Sequence, residues 1–285
     1  MTVAVVTDST ASLPAEVVER LGVTVVPLQV VIGATSYDEG VPGGAAPEML
    51  AEALRAWTPV STSRPNPEEM LQAYRRLAGD GADEMVAVHL SGELSGTYES
   101  ARIAAERSPV PVHVVDSRQV GMGTGFAVIA AAEALAAGAD AAEAAEAARQ
   151  RARATTSLFY VDTLEYLRRG GRVGAAAALL GSALAVKPIL ELDEGVVGPR
   201  ERVRTAAKAL ARLADLAVEA ADAGPVEVAV AHLASEERAA RLAEQLDERL
   251  AGQLEGRSVQ VGEIGAVLGA HVGPGMVAAC VARRS

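Results

Sequence analysis

The sequence predicts an α/β protein of two domains, and three observations carry that prediction. Short β-branched runs alternate with helical stretches along nearly the whole chain. Hydroxyl residues and glycines gather just after several of the strands. The alternation breaks at one place, where two helices follow each other with no strand between them. Strands separated by helices imply parallel βαβ units and helix-covered sheets. The expectation is therefore a parallel or mostly parallel helix-covered sheet in a first domain, followed by a second α/β domain.

In chain order, strands are expected at Val3–Val6, Val23–Val30, Met85–His89, Val112–Val115, Leu158–Val161, Val186–Leu190, Val226–Ala231 and Val259–Val261, with a last one near Val277–Val281. The two successive helices, about Gly121–Ala137 and Asp140–Ala154, set a domain boundary near residue 155 and divide the chain into 1–155 and 156–285. Asp162-Thr163-Leu164-Glu165 reads as an N-cap with its capping-box glutamate. The uncharged block from Val173 to Leu180, continued by Gly181 to Val186, is expected to be a buried helix. Its small side chains would leave room for a long, dry channel. Leu210, Leu213 and Ala217 form one helical stripe, and Leu242, Leu246 and Leu250 another.

Of the 285 residues 50% are hydrophobic and 22% charged, enough to fill a large core. The longest uncharged apolar run, Val173 to Val186, is too short to cross a bilayer, and Gly121 to Gly138 carries Glu133. Met1-Thr2 leads straight into a strand-like run without a basic leader. The single cysteine, Cys280, suits a reducing compartment, so a cytoplasmic protein without a transmembrane segment is expected. A net charge of −11 and 3% aromatics argue against nucleic acid as a partner.

Five clusters follow strand-like runs: Thr7-Asp8-Ser9-Thr10, Ser61-Thr62-Ser63-Arg64-Pro65, Ser91 to Thr97, Asp116-Ser117 and Asp162-Thr163. Open parallel sheets bind ligands beyond the carboxyl ends of their strands, and hydroxyls beside helix N-termini suit an anionic oxygen group. The same residues are also ordinary helix caps. Gly121-Met122-Gly123-Thr124-Gly125 lacks the dinucleotide-binding spacing, and close helix packing explains it better. No Walker-type loop is present. His89, His113, His232 and His271 are too scattered for a metal site. A serine hydrolase or acyltransferase using Ser95 and His271 is the enzymatic alternative, although Leu94-Ser95-Gly96 lacks the Gly-x-Ser-x-Gly elbow.

These segments, in this order, resemble the DegV family. The match is carried by Val5-Val6-Thr7-Asp8-Ser9-Thr10, Thr62-Ser63-Arg64-Pro65-Asn66-Pro67, His89 to Tyr98 and Asp116 to Gly123. It continues through Asp162-Thr163-Leu164-Glu165-Tyr166-Leu167-Arg168-Arg169-Gly170-Gly171-Arg172-Val173, Val186 to Leu190, Arg202-Val203-Arg204-Thr205 and His271-Val272-Gly273-Pro274-Gly275. The resemblance implies a carrier of one long-chain fatty acid such as palmitate, with no cofactor and no catalytic centre of its own. It implies that Thr62 and Ser95, with Ser63 and Gly96 beside them, hold the carboxylate. It also implies that Arg204 and His271 lie near the head group and portal, and that the acyl chain runs into a tunnel in the second domain. A separate ATP-dependent fatty acid kinase is the implied partner, forming an acyl-phosphate for phospholipid synthesis; the exposed pair Arg168 and Arg169 is a candidate docking patch for it. Two positions depart from the family pattern: Arg64 stands where glutamine is common, and Gly92 where a second serine is frequent. Arg64 either adds positive charge near the carboxylate or pairs with a surface acid.

Overall fold

The computed structural model describes residues 1–179, 187–222 and 224–284. Its strands in the first half are β1 (Val3–Asp8), β2 (Thr24–Val26), β3 (Gln29–Ile32), β4 (Thr35–Asp38), β5 (Val60–Ser63), β6 (Glu84–His89) and β7 (Val112–Asp116). The second half adds β8 (Thr155–Tyr160), β9 (Lys187–Asp193), β10 (Val196–Val203), β11 (Val226–His232), β12 (Gln260–Glu263) and β13 (Val277–Arg283).

The first sheet has the order β2-β1-β6-β7 and is parallel throughout. Its strands are apolar on both faces, as a sheet covered twice requires. Val5, Val86 and Val88 face the alanine-rich helices Met122–Ala136 and Ala141–Arg153. Val6, Met85 and Ala87 face the helix Pro67–Gly79 and the helix Thr97–Ala105 on the other side. Asp140 begins the helix Ala141–Arg153 with a full capping box closed by Glu143.

The second sheet departs from the βαβ expectation. Its order is β10-β9-β8-β13-β11-β12, and only the β11–β12 pair is parallel. One strand in it, β10, has no counterpart among the expected strands. β10 answers β9 through a two-residue turn in which Glu194 (φ 47°) and Gly195 (φ 85°) both have positive φ, the geometry that closes a tight hairpin. One face carries Leu158, Tyr160, Val228, Val230 and Val281 under the helices Ala206–Ala221 and Glu236–Arg249. The opposite face, with Ser157, Phe159, Ala278 and Cys280, looks toward the first half of the chain.

A third sheet, β4-β3-β5, is antiparallel. It breaks the expected strand Val23–Val30 in two, because the chain leaves the first sheet after Val26 and enters this one at Gln29. Pro27 lies in the gap and has no N–H to give either ladder, while Leu28 N donates to Ser9 Oγ (3.0 Å). Thr62 thus lies within a strand rather than after one.

Two further expectations are corrected. Asp162 does not cap the helix Glu165–Arg169, whose N-cap is Leu164. Its carboxylate is drawn instead to the Tyr160 hydroxyl (2.5 Å), Lys187 (3.5 Å) and Arg238 (3.3 Å). The block after Val173 forms a 3₁₀ helix over Gly174–Leu179, with Ala176 and Leu179 buried and Ala175, Ala177 and Ala178 exposed. Three residues per turn leave only every third position facing the core. Leu180 to Val186, the rest of that block, lie outside the described residues.

Candidate functional site

A cavity of about 520 Å³ lies between the free face of the second sheet and the carboxyl end of the parallel one. Both halves wall it: residues of 1–155 line it as well as residues of the second half, in which the acyl tunnel was expected. Leu28, Leu90, Leu94 and Met122 come from the first half, and Phe159, Leu192, Val267, Leu268, Met276 and Ala278 from the second. The β9–β10 hairpin tip fastens the two halves beside it. Ser91 Oγ donates to the Gly195 carbonyl (2.7 Å), and Arg118 donates twice to the Glu194 carbonyl (3.1 and 2.7 Å).

Polar groups gather at one end. Thr62 and Ser63 arrive on β5, and Arg64 follows directly. Ser95 and Gly96 precede the helix Thr97–Ala105. His271 sits near the end of the helix Ala266–Val272. Ser63 and Arg64 are exposed, so the cavity meets solvent there. Arg64 lies across Gly96 and donates to its carbonyl (3.1 Å), in the space that a Cβ at Gly96 would take. Of the two readings of Arg64, the structure supports positive charge at the polar end.

Thr62 Oγ1 and His271 Nε2 are 2.8 Å apart. Burial, with the nearby Arg172 cation, pushes His271 down to about 4, so the imidazole is neutral at pH 7. Its Nδ1 is buried, packed against Gly170, and has no partner among the described residues. An orphaned acceptor is tolerated better than an orphaned N–H, which assigns the proton to Nε2. Nε2 then donates to Thr62 Oγ1 and leaves the threonine's own proton free for the cavity. Ser95 Oγ pairs with Thr97 Oγ1 (2.9 Å).

The sequence-derived set is therefore brought together with one exception. Thr62, Ser63, Ser95, Gly96 and His271 line the cavity, whereas Arg204 is exposed and lies outside it. Val197 of β10 does reach the wall, and Arg204 stands seven residues further along, roughly 23 Å of extended chain. Besides Arg64, the site holds Arg172, which donates to the Leu94 carbonyl (3.1 Å) and the Gly170 carbonyl (2.6 Å). Arg172 lies within the Arg168-to-Val173 motif, where the sequence alone marks it no differently from Arg168 and Arg169. What sets it apart is the turn at Gly171 (φ 71°), which separates it from the exposed Arg168 and Arg169.

The other hydroxyl clusters serve the framework. Asp8 is fully buried, accepting from the Thr10 and Leu90 backbone N–H groups and pairing with His89 Nδ1 (2.9 Å). Asp116 Oδ1 accepts from the Gly92 and Arg118 N–H groups. Ser95 and His271 hydrogen-bond to other residues, so the pair needed for a serine nucleophile is not formed. Among the described residues no cluster of His, Cys, Asp and Glu is placed to hold a metal ion, and no helix is long and apolar enough to cross a membrane.

Residues 2–284 match the family model described as "uncharacterised protein, DegV family". A DegV domain-containing protein of Streptomyces coelicolor, SCO2569, is 52% identical over 282 residues, covering 99% of each chain. Protein DegV of Bacillus subtilis is 35% identical, covering 98% of this chain and 99% of that one. Among solved structures, a fatty-acid-binding DegV family protein from Thermus thermophilus superposes with a TM-score of 0.92 at 34% identity over the whole of both chains. The Bacillus subtilis DegV structure, also described as a fatty acid binding protein, gives 0.88 at 33%, again over both whole chains. The chain belongs to the DegV family.

Proposed function

We propose that this protein carries one long-chain fatty acid, with the carboxylate at Thr62 and Ser95 and the acyl chain in the cavity between the sheets. The observation that carries this reading is the one-ended polarity of that cavity: hydroxyls, a neutral imidazole and two arginines at the solvent end, and an almost wholly apolar wall beyond. A chain of ~15 methylenes at ~0.8 kcal/mol each gives on the order of 12 kcal/mol of gross transfer energy. Much of it is offset by immobilising both partners. Each hydrogen bond to the carboxylate adds about 1.5–3 kcal/mol. The tail thus sets affinity, while the hydroxyls set which end faces out. Ser63 and Gly96 border the head group, and Arg64 and Arg172 supply charge that a protein of net charge −11 needs locally.

The same proposal divides the chain at residue 155 and places the protein in the cytoplasm. It also includes presentation of the carboxylate to an ATP-dependent fatty acid kinase. The sequence has no Walker-type loop, which fits a phosphoryl donor that arrives on a partner. The carboxylate end is the end that meets solvent, where such a partner can reach it.

Calorimetric titration of delipidated protein with palmitate tests the carrier reading. Saturable one-to-one binding is expected, weakened about tenfold or more in Thr62→Ala and further in the Thr62→Ala, Ser95→Ala double variant. Binding that is indifferent to both variants would remove the head-group assignment.

A further inference from the structure

The wall of the cavity is not apolar throughout. Ser157 on β8 and Cys280 on β13 are paired in register, and both side chains face the cavity. Their neighbours on the same face, Phe159 and Ala278, are apolar. Behind them stands Gln119. All three are nearly inaccessible, at 5%, 6% and 7% exposure.

The hydrogen atoms of this cluster are all committed. Gln119 Nε2 donates to the Ala152 carbonyl (3.3 Å) and the Thr155 carbonyl (3.1 Å), which fixes the amide with Oε1 toward Ser157. Ser157 must therefore donate its one proton to Gln119 Oε1 (2.8 Å). The Cys280 thiol, 3.5 Å from Ser157 Oγ, can then only donate to it. Burial pushes Cys280 up, so it stays a thiol with a proton to give. Gly123 closes the cluster from behind, since a Cβ there would stand 2.9 Å from both Gln119 Oε1 and Ser157 Oγ.

The chain of donation runs away from the cavity. What the cluster offers a ligand is one lone pair on Ser157 Oγ, an acceptor with no proton of its own to give. A carboxylate brings only lone pairs and is disfavoured here, which reinforces the head-group orientation at the other polar end. A hydrocarbon leaves the lone pair unused. A neutral hydroxyl donates to it and is matched, whereas a hydroxyl against any apolar part of the wall loses its hydrogen bonds to water without replacement.

We propose that Ser157, held by Gln119 and Cys280, is a specificity subsite for long-chain carboxylic acids that carry a hydroxyl on the acyl chain. This inference rests on the fatty-acid reading above. It extends the ligand class from plain to hydroxylated acyl chains and assigns the choice of hydroxyl position to one side chain.

The test is calorimetric binding of stearate and of a panel of monohydroxylated stearates, with the hydroxyl stepped along the chain. The measurement is made on the wild type, Ser157→Ala and Ser157→Thr. The readout is the ratio of each hydroxystearate's affinity to that of stearate on the same variant. The wild type is expected to favour one hydroxyl position over the others by at least about tenfold, the contrast between a matched and an unmatched buried hydroxyl. Ser157→Ala should flatten that profile, and Ser157→Thr, which keeps the acceptor, should restore it. A flat wild-type profile overturns the proposal without needing either variant to fold. A positional preference that survives in Ser157→Ala overturns it as well. If stearate itself does not bind, the carrier reading fails and takes this inference with it, a result distinct from the other two.

Discussion

The two large sheets use the same vocabulary of strand and helix but treat their faces differently. In the parallel sheet Val86 and Val88 go under one helix layer while Met85 and Ala87 go under another, and no face is left. In the six-stranded sheet Leu158 and Tyr160 lie under helices, but Ser157 and Phe159, on the alternate positions, look into the cavity. The difference teaches where a ligand can sit. A sheet whose second face lacks a helix layer must bury that face against something else, and in this protein it shares the cavity with the carboxyl end of the first sheet.

The largest effect is expected in the doubly covered sheet. Leu71, with no exposed surface, packs beneath it. Leu71→Ala is expected to destabilise the protein by about 2–5 kcal/mol in urea unfolding. A loss under 1 kcal/mol would show a looser core there than the burial implies.

The cavity side carries a titration that sharpens the contrast. His271 is held down to about 4 in the folded protein, against about 6.5 in the unfolded chain. The unfolded chain therefore takes up the proton first as pH falls. The stability tied to this group is fully present above pH ~6.5 and is lost progressively toward pH ~4, by up to about 3 kcal/mol. Urea midpoints across that window should fall for the wild type and fall less for His271→Gln. Identical slopes would mean that His271 is not buried neutral.

Next in size is a matched pair of enlargements. Ala127 is fully buried in the helix layer of the first sheet, and Ala278 stands on the cavity wall. Ala127→Leu overpacks a filled space and is expected to cost about 1–3 kcal/mol. Ala278→Leu grows into open volume, so thermal unfolding should move little while fatty acid uptake falls. Equal destabilisation by both would break the comparison outright. The smallest effect is expected at the exposed Arg64, where Arg64→Gln should weaken binding by no more than about 1 kcal/mol, read as a loss that shrinks further in high salt.

The same difference between the sheets decided what the sequence could disclose. The parallel sheet is legible because each strand is an apolar run set off by helices, and Val3, Met85 and Val112 open those runs near where the strands begin. β10 was hidden because Pro199, Arg200 and Glu201 interrupt its apolar residues. β5 was hidden because Val60 is the only apolar residue in Val-Ser-Thr-Ser. The antiparallel pairing of β8 with β13 joins residues more than a hundred positions apart, and no local pattern reports it. At the site, Thr62, Ser95 and His271 were legible through the family motifs. Arg172 was not, because its direction depends on a turn, and the position of Arg204 relative to the cavity depends on the length of β10, which no local pattern reports.

The central claim is that the cavity between the sheets holds one long-chain fatty acid, and mass spectrometry of an organic-solvent extract of freshly purified protein tests it most directly. The account predicts a long-chain fatty acid close to one per protein chain. An extract without fatty acid, from protein that also takes up none when it is added, would contradict it.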